Sequence, residues 1–261
     1  MTKNEHLIDA WSKLKLYWEI SSQDENLSSK PIYSFLRLTL APFLRTMLRL
    51  RFRGLDHIPR KGATILAANH LSHVDPIIVI ASSRRTTHYL AKDGHFSNPI
   101  TRFVMTSTGQ IETKRESGGA DALSSAATVL SNNRALGIFP EGTRSRKTEP
   151  PFLLEGKTGV ARLSAAFPYA NVVPIALNGT RNVMAPKLHK FPRFWRPVHV
   201  RAGQSITWIE WLGHSDGGNH TIESLHHLAS KSPEEIKSEL AKMYRLFTNQ
   251  LMGSLQQLGA P

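Results

Sequence analysis

The chain of 261 residues contains no cysteine. That excludes a disulfide framework, a thiolate metal site and a cysteine nucleophile. No secretory signal is visible, because Lys3 and Glu5 lead into no sustained apolar core. There is no internal repeat and no low-complexity tract. Acid is scarce: 20 Asp and Glu stand against 33 Lys and Arg, a formal charge of +13. Such an excess favours an anionic partner, whether nucleic acid, acidic lipid or a phosphorylated substrate. The length suits one domain with a full core.

The positive charge is unevenly spread. Lys30, Arg37, Arg45, Arg49, Arg51, Arg53, Arg60 and Lys61 fall in one stretch with a single acid, Asp56. The same stretch carries Phe35, Leu36, Leu38, Leu40, Phe43, Leu44, Met47, Leu48 and Leu50. Its arginines interrupt it too often for a span of roughly 20 apolar residues. The pattern predicts a basic amphipathic helix lying in the headgroup region of an anionic membrane, kinked or divided at Pro42. Upstream, Leu7, Trp11, Leu14 and Trp18 recur at helical spacing, and 21–30 reads as a polar hinge. The expected division is therefore 1–52 as N-terminal, membrane-associating amphipathic helices and 53–261 as an α/β domain. A second basic and aromatic stretch runs over 187–201, with Lys187, Lys190, Arg193, Arg196 and Arg201 among Phe191, Phe194 and Trp195. It suits a headgroup zone, single-stranded nucleic acid or a solvated loop.

Strand and helix signals alternate through the middle. Apolar runs at 64–68, 87–90, 110–112, 136–139, 172–177 and 198–202 predict strands. The stretches 76–83, 98–107, 120–132 and 156–166 predict helices. That order implies an α/β fold with a mostly parallel sheet flanked by helices. In such sheets ligands bind beyond the carboxyl ends of strands, and His70, Lys92, Arg115 and Arg144 all follow strand candidates. Near the end, Ser232-Pro233-Glu234-Glu235 starts a helix with a capping box. Its stripe of Ile236, Leu240, Met243, Phe247 and Leu251 is expected to pack on the core.

The segment with the most chemical content is Asn69-His70-Leu71-Ser72-His73-Val74-Asp75-Pro76. An imidazole oriented by a carboxylate is a general base for a hydroxyl. In a continuous helix five residues turn through roughly 500°, so His70 and Asp75 would point apart. The pair requires a bend, which Asp75 as N-cap and Pro76 as first helical residue would supply. A second segment, Gly137-Ile138-Phe139-Pro140-Glu141-Gly142-Thr143-Arg144-Ser145, ends a buried run in a polar loop. Gly142 permits close backbone approach, Thr143 offers a hydroxyl, and Arg144 a planar fork for phosphate oxygens.

Together these segments resemble the glycerolipid acyltransferase superfamily, in wording closest to the 1-acylglycerol-3-phosphate acyltransferases. Two further blocks occur in the family's order: Gly109 to Arg115, where Lys114-Arg115 replaces one basic residue, and Val172 to Thr180, a strand carrying Pro174. The likeness covers about 50–205, and the N-terminal region is similar in layout to the family's membrane-anchoring helical pair. The resemblance implies transfer of an acyl group from acyl-CoA or acyl-carrier protein to the hydroxyl of a lysophospholipid, with His70 as base and Asp75 as its partner. It implies that Asn69 braces the turn and that Glu141, Gly142, Thr143 and Arg144 bind the acceptor. Arg144 and Arg115 would hold its phosphate with help from Lys92, and Pro174 would shape the acyl-chain side. His73 has no assigned role. No cofactor, no metal and no nucleic acid are expected, and the protein should sit peripherally on the cytoplasmic face of the cell membrane.

Glycerol 3-phosphate or a lyso-aminolipid are alternative acceptors. Gly213-His214-Ser215-Asp216-Gly217 matches a hydrolase nucleophile elbow, with a strand possible at 205–211. Loop chemistry follows it where a helix is required. His214, His220, His226 and His227 lack the carboxylate spacing of a metal site. A non-catalytic basic protein is the remaining reading.

Overall fold

The computed structural model describes residues 3–22, 31–92, 110–113, 118–186, 188–189 and 191–261. In chain order these form α1 (Lys3–Ser12), α2 (Lys15–Trp18), α3 (Pro31–Met47), β1 (Leu50–Arg53), a 3-10 turn (Leu55–His57), β2 (Thr64–Ala68), α4 (Asp75–Ser83), β3 (Thr87–Lys92) and β4 (Ile111–Thr113). There follow α5 (Gly118–Ser131), β5 (Ala135–Ile138), α6 (Gly159–Ala166), β6 (Asn171–Asn178), α7 (Thr180–Met184), β7 (Val198–Ala202), α8 (Trp208–Gly213), α9 (Ile222–Ala229) and α10 (Pro233–Gln257). The strands make one sheet in the order β1-β7-β6-β2-β5-β3-β4. Pairing is parallel except between β6 and β7.

β2 lies at the centre and is buried along its whole length. Its alternation feeds two cores. Ile65 and Ala67 face a layer built from α1, α5, α6, α8, α9 and α10. Leu66 and Ala68 face a layer containing Leu48, Ile78, Val79 and Tyr89. A helix layer on each face is the burial that a parallel sheet of apolar strands demands. β5 and β6 flank β2 on opposite sides, so chain leaving the three strands diverges, and a cleft opens beyond their carboxyl ends.

Three expectations change. α1 does not stand apart: Leu7, Trp11 and Leu14 are buried in the main core, and Trp11 Nε1 donates to the Ala165 carbonyl at 3.0 Å. Trp11 packs on Trp208 with ring centroids 5.4 Å apart. Burying so large an aromatic contributes a few kcal/mol, which is why the stripe turns inward. Thus the expected boundary at 52 does not separate α1 from the α/β body. Second, Pro42 does not divide α3, which runs unbroken from Pro31 to Met47. Proline removes one intrahelical bond, and Tyr33 and Ala41 are buried on the helix's inner side, where Arg45 Nη2 donates to the Ala81 carbonyl at 3.0 Å. Third, 205–211 is mostly helical: Thr207 and Glu210 form a capping box that starts α8, leaving only an isolated bridge from Ile206 to Val172. The expected helix at 98–107 lies outside the described residues, as does most of the 21–30 hinge.

Candidate active site

Asn69 ends the central strand by imitating it. Its side-chain Nδ2 donates to the Leu177 carbonyl at 2.9 Å, and its Oδ1 accepts from Leu177 N at 2.7 Å. The side chain thus satisfies a β6 peptide group that the next β2 residue would have paired, and the backbone is released to turn.

Asp75 shapes that turn. Its Oδ2 accepts from Leu71 N at 2.7 Å, from Ser72 N at 2.6 Å and from His70 Nδ1 at 2.9 Å. The carboxylate therefore reaches backwards, although the sequence suggests an N-cap. Val74 holds the cap position with no side-chain bond, and Asp75 is already the first residue of α4. Asp75 is fully buried, and its Oδ1 has no hydrogen-bond partner among the described residues. A carboxylate offers only acceptors, so Nδ1 carries the hydrogen and Nε2 keeps the lone pair. Phe139, just past β5, fixes the imidazole plane, with ring centroids 3.9 Å apart and planes 10° from parallel. The His70 side chain keeps 16 % of its surface exposed, enough for a hydroxyl to reach it.

Glu141 holds the turn from the β5 side. Its Oε1 accepts from His70 N at 2.6 Å and its Oε2 from Leu154 N at 2.9 Å. Burial pushes this carboxyl from 4.5 up to about 7; its bonds from His70 and Leu154 pull the other way, and the Asp75 charge adds to the rise. The expected place of Glu141 against the acceptor gives way to a structural one, because both oxygens are committed to backbone. Gly142 follows with φ +69°, a left-handed conformation in which a side chain is strained. The loop then returns, and Ser145 N donates to the His70 carbonyl at 2.9 Å. This brings Arg144 beside the His70 turn, where its Nη1 contacts the His73 ring, 2.8 Å from Nε2. Thr143 is exposed on the same rim.

The structure therefore gathers Asn69, His70, Asp75, Glu141, Gly142, Thr143 and Arg144 at one sheet edge. It does not bring Pro174 to His70. Pro174 pairs with Ala67 and lines a cavity of about 200 Å³ with Val172, Ile206, Trp211, Phe247 and Leu251. Those neighbours belong to the α10 face of the sheet, whereas Phe139, which backs His70, belongs to the opposite core. Lys92 closes β3, but its side chain, together with Lys114 and Arg115, lies outside the described residues. Sequence reasoning missed Phe139 as the ring support and Ser72, whose hydroxyl donates to the Met184 carbonyl at 2.7 Å. An aromatic directly before the loop was the available signal for the first.

Ser215 sits in an exposed turn, and the next helix starts only at Ile222. No strand-Ser-helix elbow is formed there. Among the described residues, no group of three or more His, Asp or Glu is placed to hold a metal ion.

Comparison with known proteins places these features in context. A family model described as acyltransferase matches residues 49–178. A 1-acyl-sn-glycerol-3-phosphate acyltransferase of Borreliella burgdorferi is 30 % identical over 49 % of this chain and 51 % of its own. The chloroplastic 1-acyl-sn-glycerol-3-phosphate acyltransferase LPAT1 of Arabidopsis thaliana is 28 % identical over 56 % of this chain and 40 % of its own. The chain thus spans about half the length, or less, of these curated relatives. The crystal structure of the 1-acyl-sn-glycerophosphate acyltransferase PlsC from Thermotoga maritima covers 95 % of both chains, with a TM-score of 0.52 and 17 % identity. At that identity the likeness shows the fold alone, and the fold is the same mixed α/β architecture.

Proposed function

The chain belongs to the acyltransferase family through residues 49–178, and from that premise we propose that it moves a fatty acyl group from a thioester to the free hydroxyl of 1-acyl-glycerol 3-phosphate, forming phosphatidic acid. The observation that carries the reading is the His70 Nδ1 to Asp75 contact of 2.9 Å, held in a turn that leaves Nε2 as the basic atom. The names of the curated relatives support the acceptor.

In this reading Nε2 removes the hydroxyl proton, and the oxygen attacks the thioester carbonyl. Asp75 stabilises the imidazolium that forms. The tetrahedral oxyanion collapses, the carbon–sulfur bond breaks, and the imidazolium returns its proton to the departing thiolate. No acyl-enzyme is needed. Arg144 binds the acceptor phosphate from the rim by a charge-assisted fork, with Arg115 and Lys92 as further cations and Thr143 as a hydroxyl donor. Acyl-CoA and acyl-carrier protein are both thioester donors that fit this chemistry.

Membrane contact completes the proposal, because the acceptor and product are lipids. No helix among the described residues is long and apolar enough to cross a membrane. α3 instead shows Phe35, Leu38 and Phe43 to solvent. Behind this face a cleft of about 370 Å³ is lined by Arg45, Arg60 and Arg84 together with Leu38, Ala41, Pro42 and Ala81. Apolar side chains beside arginines suit an anionic headgroup layer. Attachment is peripheral, on the cytoplasmic face of the cell membrane.

The test is product identification by mass spectrometry. Purified protein with acyl-CoA or acyl-carrier-protein donors is offered lysophosphatidic acid, glycerol 3-phosphate or a lyso-aminolipid. Phosphatidic acid from the first acceptor alone is the expected result. Acylation of another acceptor only would overturn the assignment.

A further inference from the structure

The stretch 187–201 reads from sequence as basic and aromatic, and the proposed catalysis uses none of it. No acidic residue occurs between Glu155 and Glu210. Within that interval Leu188, Phe191, Phe194 and Trp195 are 70 %, 80 %, 48 % and 60 % exposed. By contrast Trp11, Trp208 and Trp211 are buried. Apolar side chains scattered singly on a surface need no explanation, but four of them within eight positions do.

The exposed residues are held on a fastened framework. Trp195 N donates to the Met47 carbonyl at 2.8 Å, and Arg193 N to the Val183 carbonyl at 2.9 Å. Arg193 Nε donates to the Asn182 carbonyl at 3.2 Å, and Ala185 N to His189 Nδ1 at 3.0 Å. Trp195 itself has φ +63°, a backbone conformation that a bulky aromatic keeps only where its surroundings over-determine it. One end of the segment is thus tied to the end of α3, one helical turn beyond exposed Phe43. The other end adjoins α7, whose Met184 carbonyl accepts the Ser72 hydroxyl in the turn that carries Asp75. The apolar cluster is therefore joined by two short links to the candidate membrane helix and to the His70 turn.

We infer that Leu188, Phe191, Phe194 and Trp195 form a second lipid-docking surface, which enters the headgroup and acyl boundary of an anionic bilayer. The exposed Arg196 faces its phosphates. The absence of acid supplies the charge complementarity, and aromatics flanked by arginine suit the interfacial zone. With α3 as the first contact, this surface fixes the depth and tilt of the protein, so that the mouth beside Ser72 and His70 opens at the lipid–water boundary. The inference rests on the membrane part of the proposed function, and its test reads lipid insertion without reading acyl transfer.

Trp195 is the natural reporter. Full-length protein is titrated with vesicles of phosphatidylcholine alone and of phosphatidylcholine with phosphatidylglycerol, while tryptophan emission is recorded. Anionic vesicles should shift the emission to the blue, and brominated lipids should quench it. Trp195→Phe should abolish most of that signal while sedimentation with the vesicles persists. The double variant Phe191→Ser with Phe194→Ser, with unchanged Tm, should bind anionic vesicles roughly 10-fold more weakly or worse. Unquenched, water-like Trp195 emission in vesicle-bound protein would overturn the inference. So would a double variant that binds vesicles normally but loses affinity for a single-stranded oligonucleotide, which would assign the surface to nucleic acid. Insertion without any acylation of lysophosphatidic acid would leave this surface standing and remove the proposed reaction.

Discussion

The turn at 69–75 and the surface formed by α3 with 188–195 are opposite kinds of structure. In the turn, buried polar atoms are matched to one another: Asn69 to Leu177, Asp75 to three donors, Glu141 to two. On the outer surface, large apolar side chains are held exposed. Apart from Asp75 Oδ1, which has no partner among the described residues, these groups hold one another in place, and fixed geometry is what proton transfer requires. An apolar surface presented to water is complete only against a partner. Mutations in the first region should therefore strike turnover and stability, and those in the second should strike lipid binding while leaving the fold alone.

The largest expected effect is His70→Ala, which should lower turnover about 100- to 10,000-fold because the proton acceptor is lost, and should also lower Tm, because buried Asp75 loses a donor and Phe139 its stacked ring. Asp75→Asn should come next, on the order of 1,000-fold, because an amide can hold the ring in the wrong tautomer. It should also lower Tm, as the Leu71 and Ser72 amides lose an ionic acceptor. Kinetics with thermal melts on the same samples check both.

Glu141 gives a pH signature. Between 4.5 and about 7 the unfolded chain releases a proton that the folded chain retains. This group therefore withdraws stability as pH rises across that window, by roughly 3 kcal/mol in total, and withdraws none below it. Glu141→Gln should remove this slope from denaturant unfolding measured between pH 4.5 and 7. It should also reduce turnover, since an amide oxygen can serve only one of the His70 and Leu154 amides well. Asn69→Ala should cost about 2 kcal/mol, because the Leu177 peptide is left unpaired in the sheet. The smallest effect on stability belongs to Phe35→Ser with Leu38→Ser on α3, within about 0.5 kcal/mol. Vesicle sedimentation should nevertheless fall clearly, and an unchanged affinity would erase the contrast between the two regions.

What was legible in the sequence follows the range of the forces involved. The inner strands announce themselves as short apolar runs, and β2 and β7 lie at 64–68 and 198–202 as expected. β1 did not, because its alternation of Leu50, Arg51, Phe52 and Arg53 merges with the basic amphipathic stretch before it. The pairing of His70 with Asp75 was readable because the geometry is local: a bend within five residues. The bracing by Glu141 was not, since its partners are backbone amides of residues 70 and 154, which carry no residue-type signature. The Trp11 stripe shows its helical period but not its partner, Trp208, which arrives from the far end of the chain. The face of the sheet taken by Pro174 likewise depends on strand register, which a single strand does not encode.

The most direct test of His70 as base is thiol release from an acyl thioester by wild type and His70→Ala, both shown to be folded at the assay temperature by thermal melts, with and without lysophosphatidic acid. Release should require the acceptor and fall by at least about 100-fold in the variant. Equal release by a folded His70→Ala protein, or release that ignores the acceptor, would contradict the mechanism at its first step.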